Sequence, residues 1–227
     1  MAPRRALITS RDNERLKLVR KLQERSWRDK LGLFVVEGED AVEASTAEPV
    51  DVLRAGEDVE PSLLAAVATA PHPPRVVAVY RRRDLPAWEE RKATLALWRV
   101  ADPGNVGTLI RTAAAFGAAV ALSDGCADPT SPKALRAGSG AIWHAPLGGW
   151  DEIGGSRIAL VAHGGQPLAS LDLSGRVAFL LGAERAGLPT GVPRDAEATI
   201  PLSGAESLNV AAAGAIALYE LGRCASA

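Results

Sequence analysis

The chain has 227 residues, and its 26 lysines and arginines nearly balance 27 aspartates and glutamates, giving a formal net charge of −1. This length allows one large domain or a small and a larger one, and a hydrophobic fraction of 47% excludes a globally disordered chain. The near-neutral total also argues against a uniformly basic nucleic-acid-binding protein.

The N-terminal part of the chain, which we call the front, is strongly basic, although the chain as a whole is nearly neutral. Residues 1–34 carry ten lysines and arginines and four acids, a net charge of +6. Leu16, Val19 and Leu22 recur at helical spacing within this segment, which predicts one amphipathic helix over about 12–28 with the basic side chains largely off its apolar stripe. Such a charge run is compatible with a solvated helix face or with a surface that binds phosphate.

After this helix, strand and helix patterns alternate over about 80 residues. The predicted elements are the strand 33–38, a helix from about Asp40, the segment 50–56, the helix 61–70 and the strand 75–80. They predict a small α/β unit, to which we assign residues 1–83. A polar segment, 84–93, follows and reads as a linker.

The second half, residues 94–227, continues the alternation with apolar strands. Its predicted elements are strands 94–100, 118–124, 157–163, 176–182 and 198–202, helices 106–117 and 207–222, and a short helix that contains Lys133 and Arg136. Continuous apolar strands that alternate with helices predict an α/β fold, with a mostly parallel sheet and helices on both of its faces.

The cysteines and histidines match no disulfide framework and no metal site. Cys126 and Cys224 are far apart in the sequence, and His72, His144 and His163 show no ligand spacing. We therefore expect no bound metal and a reducing compartment. No secretory signal and no apolar stretch of about 20 residues is present, so we expect a cytoplasmic protein without a membrane span.

Three turns combine glycine with polar side chains where an open α/β sheet binds ligands. Asn105 begins a helix after a predicted strand, and on its own it is compatible with a cap, just as Arg111 is compatible with a surface role. Glu184 lies in a glycine-rich turn that fits a structural loop or a site equally well. Ser207 and Asn209 precede the last helix, and capping by Ser207 is the simplest interpretation there.

Taken together, the three turns resemble the three motifs of the SpoU/TrmH family of RNA ribose 2′-O-methyltransferases. The matching segments are VADPGNVGTLIRTAAAFG, LLGAERAGLP and IPLSGAESLNVAAAGAIALYE, in the family's order and within about residues 94–222. Residues 128–143 also resemble the family's stretch between its first two motifs. The basic front unit resembles, more loosely, the family's N-terminal RNA-recognition domain.

The resemblance implies an enzyme that uses S-adenosylmethionine to methylate a ribose 2′-hydroxyl of a structured ribosomal or transfer RNA. It also implies a C-terminal trefoil knot in a catalytic domain over 94–227, an RNA substrate-binding domain over 1–83, and a homodimer in which each site is completed across the interface. Arg111 matches the motif-one arginine that binds the target phosphate. The implied catalytic residues are Asn105, Arg111, Glu184, Ser207 and Asn209, and the implied cofactor-binding residues are Gly182, Ile200 and Leu208.

Two alternatives remain at this point. One is a non-catalytic RNA-binding or ribosome-assembly protein that keeps the fold, and the other is a nucleotide-binding α/β enzyme of another class, which the absence of a phosphate-loop signature disfavours. Aromatic residues are scarce, and Trp27 and Trp143 are expected in the core rather than as platforms for base stacking. His163 is expected in the wall of the pocket. The sequence does not define the RNA, the nucleotide or the base preference.

Overall fold

Two separate β-sheets organise residues 6–225, the part of the chain that the computed structural model describes. Arg4 and Arg5 of the basic front segment lie outside the described residues. The front elements are α1 (Glu14–Leu22), α2 (Arg25–Leu31), β1 (Leu33–Glu37), α3 (Glu39–Glu43), β2 (Asp51–Arg54), α4 (Pro61–Ala65) and β3 (Val76–Arg81).

The second part of the chain forms the larger sheet and three α-helices. Its elements are β4 (Ala93–Leu97), α5 (Pro103–Ala115), β5 (Ala119–Leu122), α6 (Pro132–Gly138), β6 (Leu147–Gly149), β7 (Ser156–Leu160), β8 (Gln166–Pro167), β9 (Val177–Leu181), β10 (Ala196–Thr199) and α7 (Val210–Ala225). Single turns of 3₁₀-helix span Arg82–Asp84, Ala141–Trp143, Trp150–Glu152 and Leu168–Ser170.

The front sheet has the order β1-β3-β2, and β3 is antiparallel to both neighbours. Side chains alternate between its faces, as expected for strands. Val35 of β1 packs with the buried stripe of α1, whereas Phe34 and Tyr80 face the second part of the chain and contact Trp143, with Tyr80 and Trp143 centroids 4.7 Å apart. The predicted apolar stripe is confirmed, because its three members are fully buried: Leu16, Val19 and Leu22.

The prediction of a single helix over about 12–28 is wrong, because the segment forms two helices. Asn13 caps α1 by accepting from the backbone of Arg15 at 3.0 Å, and α1 ends at Leu22. Arg28 of α2 turns inward and donates to the carbonyls of Leu22 and Gln23 at 2.9 and 2.8 Å. The buried guanidinium thus donates hydrogen bonds to carbonyl groups that the end of a helix leaves without a partner. Arg28 can reach these groups because it lies on a second, separate helix.

A buried ion pair joins the front elements to the second part of the chain. Nε and Nη2 of Arg28 both lie 2.8 Å from one carboxylate oxygen of Asp128, and both side chains are nearly inaccessible, at 3% and 6% exposure. Arg82 reaches the same oxygen at 2.7 Å and also bonds Thr130 and Asp29. Removing one member would leave a buried charge without its partner, which makes this network a strong constraint on the two parts.

The larger sheet has seven strands in the order β6-β5-β4-β9-β7-β10-β8, and its neighbouring strands pair in parallel. This confirms the predicted α/β fold with a mostly parallel sheet. The edge strands β6 and β8 were not predicted, because three and two residues are too short for a hydrophobic period to show in the sequence.

The two faces of the larger sheet are covered differently. Helices α5, α6 and α7 contribute to the cluster on one face, against large strand residues such as Leu95 and Phe179. On the second face the strands carry mainly alanine, and a single 3₁₀ turn at Trp150–Glu152, the indoles of Trp88 and Trp98, and irregular chain cover it. The small side chains leave room for the flat indole rings. Within residues 6–225, the helical element that packs on this face is that 3₁₀ turn and not an α-helix.

Candidate active site

Three adjacent parallel strands end at one edge of the larger sheet and open a cavity there. The strands are β9, β7 and β10, and because they are parallel, the turns that follow them lie side by side. The cavity has a volume of about 610 Å³, within the range of pockets that hold a cofactor-sized ligand. The segment before α7 closes its remaining side.

The turn between β4 and α5 is built by an aspartate rather than by the predicted cap. Asp102 is the N-cap, and its side chain accepts from the backbone of Asn105 at 2.9 Å. The helix therefore begins at Pro103, earlier than the predicted 106, because proline suits the first helical position. With the cap supplied by Asp102, the side chain of Asn105 is released for other contacts.

Asn105 uses that freedom to join the three motif turns. Its side-chain nitrogen Nδ2 donates to the carboxylate of Glu184 at 2.9 Å, and its side-chain oxygen Oδ1 accepts from Nδ2 of Asn209 at 3.1 Å. These residues lie 79 and 104 positions from Asn105 in the sequence. The predicted site residues Asn105, Glu184 and Asn209 therefore form one hydrogen-bonded junction, which we call the amide junction.

Asn209, and not Ser207, caps the last helix. The side-chain oxygen Oδ1 of Asn209 accepts from the backbone N–H of Ala211 at 2.9 Å and of Ala212 at 3.4 Å. α7 begins at Val210, three residues later than predicted, because the cap lies at 209. The interpretation of Ser207 as the cap is therefore wrong, and its exposed hydroxyl lines the cavity instead.

Gly182 is fixed by the turn that follows β9. A Cβ at this position would collide with the backbone of Gly187 and lie 2.5 Å from the backbone nitrogen of Leu188. The turn folds back on itself through a hydrogen bond from Gly187 to the carbonyl of Ala183 at 2.8 Å. This tight return places Glu184 at its tip, where the carboxylate reaches Asn105.

Most of the predicted site residues lie in or beside the cavity. All three predicted cofactor-binding residues line it, and so do three of the predicted catalytic residues and His163. Asn105 is not among the lining residues, but its side chain forms hydrogen bonds with two of them. The lining residues among the predictions are Gly182, Glu184, Ile200, Ser207, Leu208 and Asn209.

Arg111 is the predicted residue that lies apart from this group. It follows Asn105 by six positions on α5, which places it about 9 Å along the helix and about 120° around it. Its side chain is exposed and makes no hydrogen bond or ion pair to another residue within 6–225. A guanidinium of this kind can bind an external anion without first breaking an internal contact.

An ion pair that the sequence did not predict stabilises the start of α5. Gly107 lets α6 approach closely, since a Cβ there would meet the carbonyl of Ala134. This approach brings Nζ of Lys133 to 2.5 Å from Oδ2 of Asp102. The hydrogen bond from Lys133, followed by that from the backbone of Asn105, holds the pKa of Asp102 below its usual value. No sequence signal connects positions 102 and 133 without the helix crossing.

Within the described part of the chain, no group of three or more histidine, cysteine, aspartate or glutamate residues could hold a metal ion. Over the same residues, no helix combines the length and apolar character that a bilayer crossing requires.

The fold and the amide junction together define a class of protein: a parallel α/β enzyme scaffold in which three separate turns meet at a ligand cavity. The chain belongs to the SpoU rRNA Methylase family, whose model matches residues 92–219. It is 32% identical to the 23S rRNA (guanosine(2553)-2'-O)-methyltransferase RlmP of Bacillus subtilis, over 94% of this chain and 98% of that protein.

Solved structures show the same similarity. The AdoMet-bound rRNA methyltransferase from Sinorhizobium meliloti superimposes with a TM-score of 0.85 at 29% identity, covering 96% of this chain and 98% of that one. The SpoU methyltransferase AviRb from Streptomyces viridochromogenes, solved with AdoMet, gives a TM-score of 0.82 at 24% identity, covering 95% and 99%. The latter identity supports the shared fold alone.

Proposed function

We propose that this protein transfers a methyl group from S-adenosylmethionine to the 2′-hydroxyl of a ribose in a structured ribosomal RNA. The observation that carries the proposal is the amide junction, which brings all three motif turns to the rim of one cavity. The family supports RNA methylation, and the similar Bacillus subtilis protein is named for 2′-O-methylation of 23S rRNA.

The cavity residues fit S-adenosylmethionine. Ile200 and Leu208 offer apolar surface to an adenine, and Gly182 exposes backbone where any larger residue would be excluded. The hydroxyl of Ser207 and the carboxylate of Glu184 supply polar groups for the ribose and amino-acid parts of the cofactor. When bound, the cofactor supplies an electrophilic methyl group on a sulfonium sulfur.

The chain's own residues act mainly by positioning. A guanidinium suits the recognition of phosphate and is a poor base, so the role of Arg111 is to hold a phosphate of the RNA rather than to accept a proton. The amide junction fixes Glu184 and Asn209 relative to each other and thereby holds the shape of the cavity rim. Aligning the ribose oxygen with the methyl group can lower the barrier by about 7–11 kcal/mol in well-oriented reactions.

We also propose that two copies of the chain form a homodimer through α7 and the end of α5. Ala212, Ile216 and Tyr219 form an exposed stripe on α7 at helical spacing, and Tyr219 is 62% exposed. Phe116, at the end of α5, is also exposed. Large apolar residues that line up on one face favour a protein partner, and Arg111 on α5 would then lie close to the second copy.

The dimer predicts a simple outcome in solution. Tyr219→Arg places a charge in the proposed interface, so we expect sedimentation equilibrium to show a monomer and methyl transfer to fall. Val50→Arg is the matched control, since Val50 is also an exposed large apolar residue but lies outside α7 and outside the cavity lining. A wild-type monomer at micromolar concentration contradicts the dimer.

The same proposal includes the domain organisation, the chain topology and the cellular location of the protein. We assign residues 1–83 to RNA binding, 84–93 to a linker and 94–227 to a catalytic domain with a trefoil knot, in a cytoplasmic protein. The sheet order supports the knot, because β9 lies between β4 and β7, and β10 lies between β7 and β8, so later strands are inserted between earlier ones. Among residues 6–225, no strand or α-helix runs from residues 1–83 into 94–227, although β4 begins at Ala93, the last residue of the assigned linker.

One experiment tests the proposed activity. The purified protein is incubated with methyl-labelled S-adenosylmethionine and unmodified ribosomal RNA, and the RNA is then hydrolysed with alkali. A 2′-O-methyl group blocks cleavage at its own linkage, so we expect a labelled alkali-resistant dinucleotide. Label on a base instead would overturn the ribose assignment. Calorimetry without any cofactor binding would favour a non-catalytic RNA-binding protein.

A further inference from the structure

Arg99 lies between the cofactor cavity and a second cavity. β4 pairs with β9 on one side and with β5 on the other. Beyond its end, the backbone of Trp98 donates to the carbonyl of Leu181 at 2.8 Å, and the backbone of Arg99 donates to Oγ of Ser123 at 2.9 Å. Residue 99 is therefore tied to the ends of both neighbouring strands.

The backbone of Arg99 is held in an unusual conformation. Its φ is 52°, in the left-handed region that residues with a side chain seldom adopt. The hydrogen bond to Ser123 maintains this conformation. This backbone conformation directs the side chain of Arg99 over Gly125. A Cβ added to Gly125 would lie 3.1 Å from Nε of Arg99. Strain of this kind gathers at functional sites and persists only where the surroundings enforce it.

The guanidinium of Arg99 is available for a ligand. Residue 99 is exposed, and its side chain forms no hydrogen bond or ion pair with anything in the range 6–225. Arg28 and Arg82, by contrast, are fully engaged with Asp128 and its neighbours. A free guanidinium at the sheet edge that carries the site suits the planar, bidentate recognition of phosphate.

The second cavity gives the direction in which the ligand continues. It has a volume of about 560 Å³ and is lined by residues that follow β5, including Gly125, and by the front arginines Arg25 and Arg83. Three aspartates also line it, and Arg82 neutralises two of them, Asp29 and Asp128. The side chains of Arg25 and Arg83 are 64% and 80% exposed, and their nearest carboxylates are 3.5 and 3.8 Å away. Such loose, solvated pairs cost little to replace with a phosphate contact.

We propose that Arg99 binds the phosphodiester backbone of the RNA strand next to the target nucleotide and directs that strand toward Arg25 and Arg83. The proposal rests on the proposed function, since it names the path of the same RNA. The strand passes from the cofactor cavity, beyond β9, across the end of β4 to the cavity beyond β5. Arg99 is thus a substrate-binding residue that acts beside the reacting ribose, and its strained backbone sets the direction of its side chain.

The test uses two substitutions and one matched control. Arg99→Gly removes the guanidinium and suits the left-handed backbone, so the variant is expected to fold at least as well as the wild type. Arg99→Lys keeps the charge without the bidentate geometry. Arg91→Ala removes the same charge just before β4, at the opposite end of that strand and away from the site. The measurements are kcat, the KM for ribosomal RNA, the Kd for S-adenosylmethionine and the melting temperature.

For Arg99→Gly we expect the KM for RNA to rise about tenfold, with kcat within about twofold and the cofactor Kd unchanged. The slope of log KM against log salt concentration should fall by about one, because one phosphate contact is lost. Arg99→Lys should recover part of the loss, and Arg25→Ala and Arg83→Ala should each raise the KM by about threefold. Arg91→Ala should match the wild type.

Each contrary result is decisive in a different way. An unchanged KM in Arg99→Gly, or an equal rise in Arg91→Ala, overturns the role of Arg99 while the methylation activity stands. A weaker cofactor Kd assigns Arg99 to the cofactor cavity and also overturns the proposal. A wild-type protein that methylates no RNA removes the proposed function, and the proposed RNA path fails with it.

Discussion

The two sheets use strand direction for different purposes. In the front sheet, antiparallel pairing alternates the strand ends, and both faces are buried: Val35 against α1 and Phe34 against the second part of the chain. In the seven-stranded sheet, parallel pairing brings the carboxyl ends together, and the amide junction and the cavity form at that edge. The front sheet thus serves packing on both of its faces, whereas the larger sheet offers a site at one edge.

The two regions are nonetheless held at a fixed relative position. Phe34, Tyr80 and Trp143 make one aromatic cluster across their boundary, and Arg28 and Asp128 make a buried ion pair beside it. The surface of the front region is therefore at a set distance from the cavity, and breaking this connection should show how far the two regions depend on each other.

The largest effect is expected from Asp128→Ala. The substitution leaves Arg28 buried at 3% exposure without its carboxylate, and a loss of this kind costs about 3–5 kcal/mol in the free energy of unfolding. Urea denaturation measures it. Asp172→Ala is the control, because Asp172 is exposed and bonds only its neighbour Ser174. A difference below about 1 kcal/mol between the two variants would mean that the ion pair does not hold the regions together.

The same aspartate predicts a dependence on pH. Burial alone would raise the pKa of Asp128, but hydrogen bonds from Thr130 and Arg28, together with the charge of Arg82, outweigh it and lower the pKa. A carboxylate with a lowered pKa stabilises the fold above its unfolded pKa of about 4, and this contribution is lost as the pH falls further. The stability gap between the wild type and Asp128→Asn should therefore be constant near neutral pH and narrow below about pH 4. A gap that widens on acidification contradicts this sign.

Arg111→Ala tests the larger sheet as the place of the chemistry. We expect kcat for methyl transfer to fall about 100-fold, as is typical when a group that positions the substrate for reaction is lost. Cofactor affinity should be unchanged, because Arg111 lies outside the cavity lining. Arg176→Ala, at the amino end of β9 and ion-paired with Glu90, should keep wild-type activity. Loss of cofactor binding together with activity would reject the phosphate role.

Trp27→Ala tests the front region as the RNA surface and has the smallest expected effect. Trp27 is half-buried, with the ammonium groups of Lys21 and Lys30 each 5.0 Å from its ring centroid. Stacking of one base on an aromatic ring is worth about 1–3 kcal/mol, so RNA binding should weaken about tenfold while cofactor binding is retained. Trp27→Phe should keep part of the affinity in a filter-binding assay. Equal affinity in all three proteins would remove Trp27 from the RNA surface.

The sequence predicts what depends on local pattern or on a shared motif. The stripe of α1, the central strands and the residues around the cavity follow from periodicity and from the family resemblance. Features that depend on distant partners do not: Arg28 turns toward Asp128 and divides the predicted helix, and Lys133 pairs with Asp102 across a helix contact. Asp102 takes the cap expected of Asn105 through a local contact that the sequence pattern left open, and Trp27 is only half-buried although it was expected in the core. Trp143, by contrast, is in the core as expected, at 2% exposure. The contacts of Arg28 and Lys133 need a tertiary arrangement that no local window contains.

The aromatic cluster across the boundary has a consequence for how the chain folds. Phe34 and Tyr80 belong to the front sheet by hydrogen bonding, yet they are buried in the same cluster as Trp143. A fragment that ended after β3 would keep its backbone pairing but present this apolar face to water, and such a face promotes aggregation. The molecule should therefore denature in one cooperative transition. During translation, the front region leaves the ribosome first, and its apolar face would need to be kept from aggregating until the rest of the chain emerges.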